Sequence, residues 1–132
     1  MTTPKPAIVD QADLDWQGGA DSGLAVGSGI RWKLLIDGDR LGSSGLVTGI
    51  AEVLPGAGLE RHHHDPAETY YIVSGQGQME IEGSTTAVGP GSAIYVPPGA
   101  RHAISCTGVD PLVFVFSFPR DRFDQIVYHF DH

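Results

Sequence analysis

An all-β chain, folded as a sandwich or barrel of antiparallel strands, is the class this sequence predicts. Three observations point there. Glycine (18) and proline (9) are abundant among 132 residues, which favours short strands and tight turns over long helices. From Ile30 onward, β-rich runs of five to eleven residues follow one another, each closed by turn residues. The chain is 41% hydrophobic, enough for one core in a single domain of this length.

Taken in order, residues 1–29 form a polar N-terminal arm, with the glycine-rich QGGADSGLAVGSG as its linker, and residues 30–132 form the folded domain. The strand runs are IRWKLLID, SGLVTGIAEVL, GLERHHH, AETYYIVSG, GQMEIEG, TTAVG, GSAIYVP, RHAISCTG and PLVFVFSF. Their close spacing suits an antiparallel sandwich or barrel. Asp37-Gly38 and Glu82-Gly83 read as hairpin turns. The closing PRDRFDQIVYHFDH suits either a last strand or a short helix.

Charge and composition narrow the partners. The formal charge of −8 makes nucleic acid and anionic membrane surfaces poor partners. No apolar run approaches the roughly 20 residues of a membrane helix. MTTPKPAIVD has no apolar stretch of the signal-peptide kind. Cys106 is the single cysteine, so no intrachain disulfide forms and a reducing cytoplasm is the expected compartment.

Titratable groups concentrate in GAGLERHHHDPAETYYIVSGQG. Side chains alternate faces along a strand, so His62 and His64 share one face and His63 takes the other. Glu68 shares its face with Tyr70 and Ile72, while Tyr71 points away. Burying a glutamate beside histidines is costly unless a cation compensates. His102 follows the sharp turn Pro97-Pro98-Gly99 and begins another strand. Three histidines and a glutamate suit one divalent transition metal: Fe(II), Mn(II), Ni(II) or Zn(II). Four protein ligands leave an octahedral ion two positions for water or substrate, an arrangement of catalytic sites.

These spacings resemble the cupin superfamily. Its first motif, G-x5-H-x-H-x3-E-x6-G, matches Gly56, His62, His64, Glu68 and Gly75; its second, G-x5-P-x-G-x2-H-x3-N, matches Gly91, Pro97, Gly99 and His102. Cys106 stands where the last asparagine is usual, a position that is not a ligand in the pattern. The resemblance implies a jelly-roll barrel with the metal inside, near one mouth, and a homodimer. GIRWKLLIDGD, GSSGL, HDPAETYYIVSGQG and FPRDRF…VY further resemble the small cupin lyases that cleave dimethylsulfoniopropionate to dimethyl sulfide and acrylate. That resemblance implies that Tyr70 is the general base and that Tyr128 lines the pocket.

The residues agree with such roles. A β-elimination needs a base beside a carbon acid, and a metal that binds the substrate carboxylate as a Lewis acid. A tyrosine of pKa about 10 is a poor base at neutral pH, and a nearby cation lowers that value. Trp32, Tyr128, Phe114 and Phe116 are the candidate aromatic faces for a sulfonium. His63 is expected at the rim and Cys106 as a small buried hydrophobe. Arg61 and Arg101 are expected in outward salt bridges, and Phe114, Phe116 and Phe118 in the core. His129 and His132 are incidental. The rival functions are another metal enzyme (a dioxygenase, or an isomerase or epimerase of a sugar or keto acid) and a non-enzymatic binding cupin.

Overall fold

The nine runs become strands because apolar residues alternate with polar ones and glycine or proline interrupts them. A computed structural model describes residues 5–18 and 29–131. Most of the glycine-rich linker, residues 19–28, and His132 lie outside the described residues. The strands are β1 (Gln17–Gly18), β2 (Ile30–Ile36), β3 (Val47–Val53), β4 (Gly58–His63), β5 (Glu68–Ser74), β6 (Gly77–Ile81), β7 (Ser84–Val88), β8 (Ala93–Val96), β9 (His102–Cys106), β10 (Leu112–Phe118) and β11 (His129–Phe130). One short helix, α1 (Gly38–Leu41), follows β2.

The strands form two antiparallel sheets, in the orders β1-β2-β3-β10-β5-β8 and β11-β4-β9-β6-β7. Strands adjacent in sequence often lie in different sheets, as in a jelly roll. The core sits between the sheets. Ile30, Trp32 and Leu34 of β2, Val47, Ala51 and Val53 of β3, Tyr70 and Ile72 of β5, and Phe114, Phe116 and Phe118 of β10 all point inward. Burying such a set supplies the main driving force for folding, at about 25 cal/mol per Å² of apolar surface.

The two predicted turns part company. Glu82 (φ 48°) and Gly83 (φ 85°) both take positive φ between β6 and β7, as a two-residue hairpin requires. Asp37-Gly38 does not turn a hairpin. Asp37 is extended at φ −154° and Gly38 opens α1, whose end is set by Gly42 in the left-handed region. The C-terminal segment resolves into both readings: a 3-10 turn at Phe123–Gln125 and then the short β11. The described part of the arm lies against β2 of its own chain. β1 pairs with β2, Trp16 covers Arg31 and Lys33, and Lys33 Nζ donates to the Gln11 carbonyl.

Candidate metal centre and its aromatic pocket

Strand parity and one turn assemble the centre. On β4 alternate side chains face inward, so His62 is buried and His63 is half-buried on the opposite face. His64, just past the strand end, is buried again. His102 opens β9 directly across from His62 in the ladder. The turn before it is Pro97–Ala100, with Gly99 at φ 75° and the Ala100 N–H donating to the Pro97 carbonyl. Proline then glycine at its centre is the type II pattern. Gly99 also donates its N–H to the His64 carbonyl, tying that turn to the end of β4. Glu68 begins β5 in the facing sheet, so the centre lies between the sheets.

His62, His64 and His102 each offer a ring nitrogen, and these atoms lie within 4.8 Å of one another. Glu68 Oε1 lies 3.1 Å from His64 Nε2 and 3.3 Å from His102 Nε2. None of the four is more than 4% exposed. Each histidine has its Nδ1 against a backbone carbonyl: Glu60 at 2.7 Å, Pro66 at 2.9 Å and Ala100 at 2.9 Å. A carbonyl only accepts, so each Nδ1 carries the hydrogen and donates. Each Nε2 then presents a lone pair to the centre unless the ring takes a second proton. His62 Nε2 has no hydrogen-bond partner at all. Three converging lone pairs beside a carboxylate repel one another without a cation. The donor set therefore fits a divalent metal, with each ring held by its other nitrogen as metal-bound histidines are.

Electrostatics follow from burial. Burial first, then the neighbouring His102, pushes the His62 pKa down to about 4. Burial drives the Glu68 carboxyl up, but in the metal-free protein His102 and His64, donating to it through Nε2–H when their rings carry the second proton, outweigh burial and hold the group below its usual range. The tyrosines go the other way. Burial, followed by the Glu68 charge, pushes both Tyr70 and Tyr128 well above 10 in the metal-free protein.

A cavity opens beside the centre. Glu68, Tyr70 and Tyr128 line it with Trp32, Phe114, Phe116 and Phe123. The Tyr128 ring stacks on His62 at 5.1 Å, and the Tyr70 ring meets Phe114 at 4.9 Å. Trp32 Nε1 is buried without a hydrogen-bond partner. All four aromatic candidates from the sequence line this space. Phe118 packs instead against His64.

Other singled-out residues lie elsewhere. Tyr71 faces out at 51% exposure. Arg61 pairs with Asp131 and Glu80, and Arg101 pairs with Asp131, on the outer surface. His63 stacks on His129 at 4.9 Å, also outside the core. Cys106 is buried and its thiol donates to the Asp110 carbonyl. Sequence reasoning missed Phe123. Its one signal was its place in FPRDRF, and no periodicity marks it because its contacts are tertiary.

Two facing antiparallel sheets that enclose three histidines and a glutamate define a jelly-roll β-protein with a candidate metal centre. The cupin domain family model matches residues 49–118, and the chain belongs to the cupin family. It is 33% identical over 125 residues to dimethylsulfoniopropionate lyase DddW of Ruegeria pomeroyi, across 95% of this chain and 80% of that protein. A glucose-6-phosphate isomerase of Thermococcus kodakarensis is 38% identical over 68 residues, which is 46% of this chain and 36% of that enzyme. Among solved structures, the polyketide cyclase RemF of Streptomyces resistomycificus shares the fold at a TM-score of 0.78, with 22% identity over 97% of this chain and 87% of that one.

Proposed function

We propose that this chain is a metal-dependent lyase that removes a β-leaving group from a small carboxylate. Dimethylsulfoniopropionate, cleaved to dimethyl sulfide and acrylate, is the first substrate to test. One observation carries the reading: Glu68 and Tyr70 line a single aromatic-walled cavity beside the three-histidine group. The 33% identity to DddW across 95% of the chain supports the choice of substrate.

In this reading His62, His64, His102 and Glu68 hold one divalent ion. Iron is the first to test, ahead of manganese, nickel and zinc. When bound, the ion supplies Lewis-acid polarisation of the substrate carboxylate and lowers the pKa of nearby acids. Tyr70, as phenolate, takes the α-proton. The C–H electrons form the new double bond, and the C–S bond breaks with its pair leaving on sulfur. The products are acrylate, neutral dimethyl sulfide and a protonated Tyr70. The faces of Trp32, Phe114, Phe116 and Tyr128 suit the positive sulfonium and keep water from it. Tyr128 also covers His62.

The proposal extends to assembly and place. The 1–29 arm and 30–132 domain belong to a homodimer working in the cytoplasm. Support for the dimer comes from the outer face of the larger sheet, where Tyr71, Val73 and Tyr95 are 51%, 47% and 61% exposed. An anaerobic panel tests the function: metal-reconstituted protein is offered dimethylsulfoniopropionate, keto acids and sugar phosphates. Dimethyl sulfide and acrylate in equal amounts are expected from the first alone. Turnover only of a sugar or keto acid would overturn the reading.

A further inference from the structure

The Asp37-Gly38 dipeptide makes no hairpin, and Asp37 does not behave as a helix cap either. Aspartate at an N-cap ordinarily accepts from the first turn of its own helix. Asp37 occupies that position before α1, yet its side chain makes no capping hydrogen bond. Its Oδ1 instead accepts the Phe123 N–H at 2.9 Å, from a residue 86 positions away. Asp37 is 7% exposed.

The link is reciprocal. The Gly38 N–H donates to the Asp121 carbonyl at 2.8 Å. The Gly45 N–H donates to Asp121 Oδ1 at 2.7 Å. Two chain segments, 37–45 and 121–123, are thus stitched by three hydrogen bonds. Gly38 is required by proximity rather than by φ: a Cβ there would lie 2.6 Å from the Ser43 carbonyl oxygen and near the Asp121 carbonyl oxygen.

What this stitching holds is the Phe123 ring. That ring packs against Trp32 at 6.3 Å, Phe116 at 6.3 Å and Tyr128 at 6.2 Å. Tyr128 in turn stacks on His62. Phe123, Trp32, Phe116 and Tyr128 all line the cavity. The 3-10 turn carrying Phe123 braces its own backbone, with Gln125 Oε1 accepting the Asp121 and Arg122 N–H groups, but none of its three residues is buried, and the three bonds above tie it to segment 37–45.

We propose that Asp37 is the positioning residue of the pocket: its carboxylate fixes the Phe123 backbone, and through it the aromatic wall that receives the positive end of the substrate. This deepens, and rests on, the assignment of that cavity as the substrate site. Asp37 touches neither substrate nor metal ligand. Its effect belongs to substrate affinity rather than to bond breaking.

The test uses full-length, metal-reconstituted protein carrying Trp16→Phe, which leaves Trp32 as the only tryptophan. Trp32 fluorescence, quenched by acrylamide, then reports wall packing without reference to activity. Asp37→Ala is expected to make Trp32 more quenchable with metal content unchanged. KM for dimethylsulfoniopropionate should rise about 3- to 10-fold, the worth of one hydrogen bond lost from a competent state, with kcat little altered. Asp37→Asn keeps an acceptor oxygen at the same reach and should restore both readouts. Asp37→Ser, one atom shorter, should behave as Asp37→Ala. Unchanged quenching in Asp37→Ala, or equal loosening in Asp37→Asn, overturns the proposal. So does failure of both the alanine and serine variants to fold, which would make Asp37 a residue of general stability. If the parent protein turns over no dimethylsulfoniopropionate, the assigned function fails, while the quenching comparison still decides the positioning role.

Discussion

Tyr70 and Tyr71 differ by one position and by a whole face of the sheet. Tyr70 is buried beside Glu68, and Tyr71 is half exposed on the outside. Tyr70→Phe keeps the ring and its packing but removes the proton acceptor. We expect metal binding to persist and turnover to fall about 10²- to 10⁴-fold, the usual cost of a lost general base. Tyr71→Phe should leave single-turnover rates unchanged. A near-normal rate in Tyr70→Phe would remove that residue from the mechanism. His62 makes a second prediction, for the metal-free protein. Its pKa is about 4 when folded against 6.5 when free, so between these values unfolding takes up a proton. The stability from its neutral burial is complete above pH 6.5 and is lost as pH falls through about 4. Metal-free protein should therefore melt at progressively lower temperature over that window. His62→Gln should flatten the slope, and an identical slope in that variant would contradict the assignment.

At the level of elements, the strands were legible and the connections less so. All nine runs are strands, because a two-residue period and glycine or proline boundaries are local properties. The same parity separated His62 and His64 from His63, and Glu68 and Tyr70 from Tyr71. Asp37-Gly38 misled because the dipeptide suits a hairpin, yet only a distant partner decides its conformation. The Phe123 N–H takes the Asp37 carboxylate, a contact that no window along the chain contains. The place of Phe123 in the pocket wall was hidden for the same reason. The larger sheet offers a further test. Its outer face is covered on the β2 side by the described part of the arm, where Lys33 and Ile50 are buried. Toward β5 and β8 it leaves Tyr71, Val73 and Tyr95 open. Apolar surface of that kind favours pairing with a second copy. Light scattering at micromolar concentration should give twice the chain mass, and Tyr95→Glu should shift it toward monomer. A monomeric wild type would contradict this.

On the scale of the whole molecule, the fold brings its chemistry together from both sheets. Three imidazoles come from β4, its end and β9, and the carboxylate comes from β5. Neither sheet alone makes the centre, so the two sheets must pack together for all four groups to converge. The rings are already oriented by their carbonyl partners, and metal binding should need little reorganisation. Stripping the metal is expected to leave the β-sheet spectrum intact while abolishing turnover. The most direct test of the account is a titration of metal-free protein with Fe(II) under anaerobic conditions. Bound metal and acrylate formation from dimethylsulfoniopropionate are measured at each step. The account predicts activity that rises in proportion to occupancy and stops at one metal per chain, with none in His102→Ala. Acrylate formation by metal-free protein, or a fully loaded centre that forms no acrylate, would contradict it.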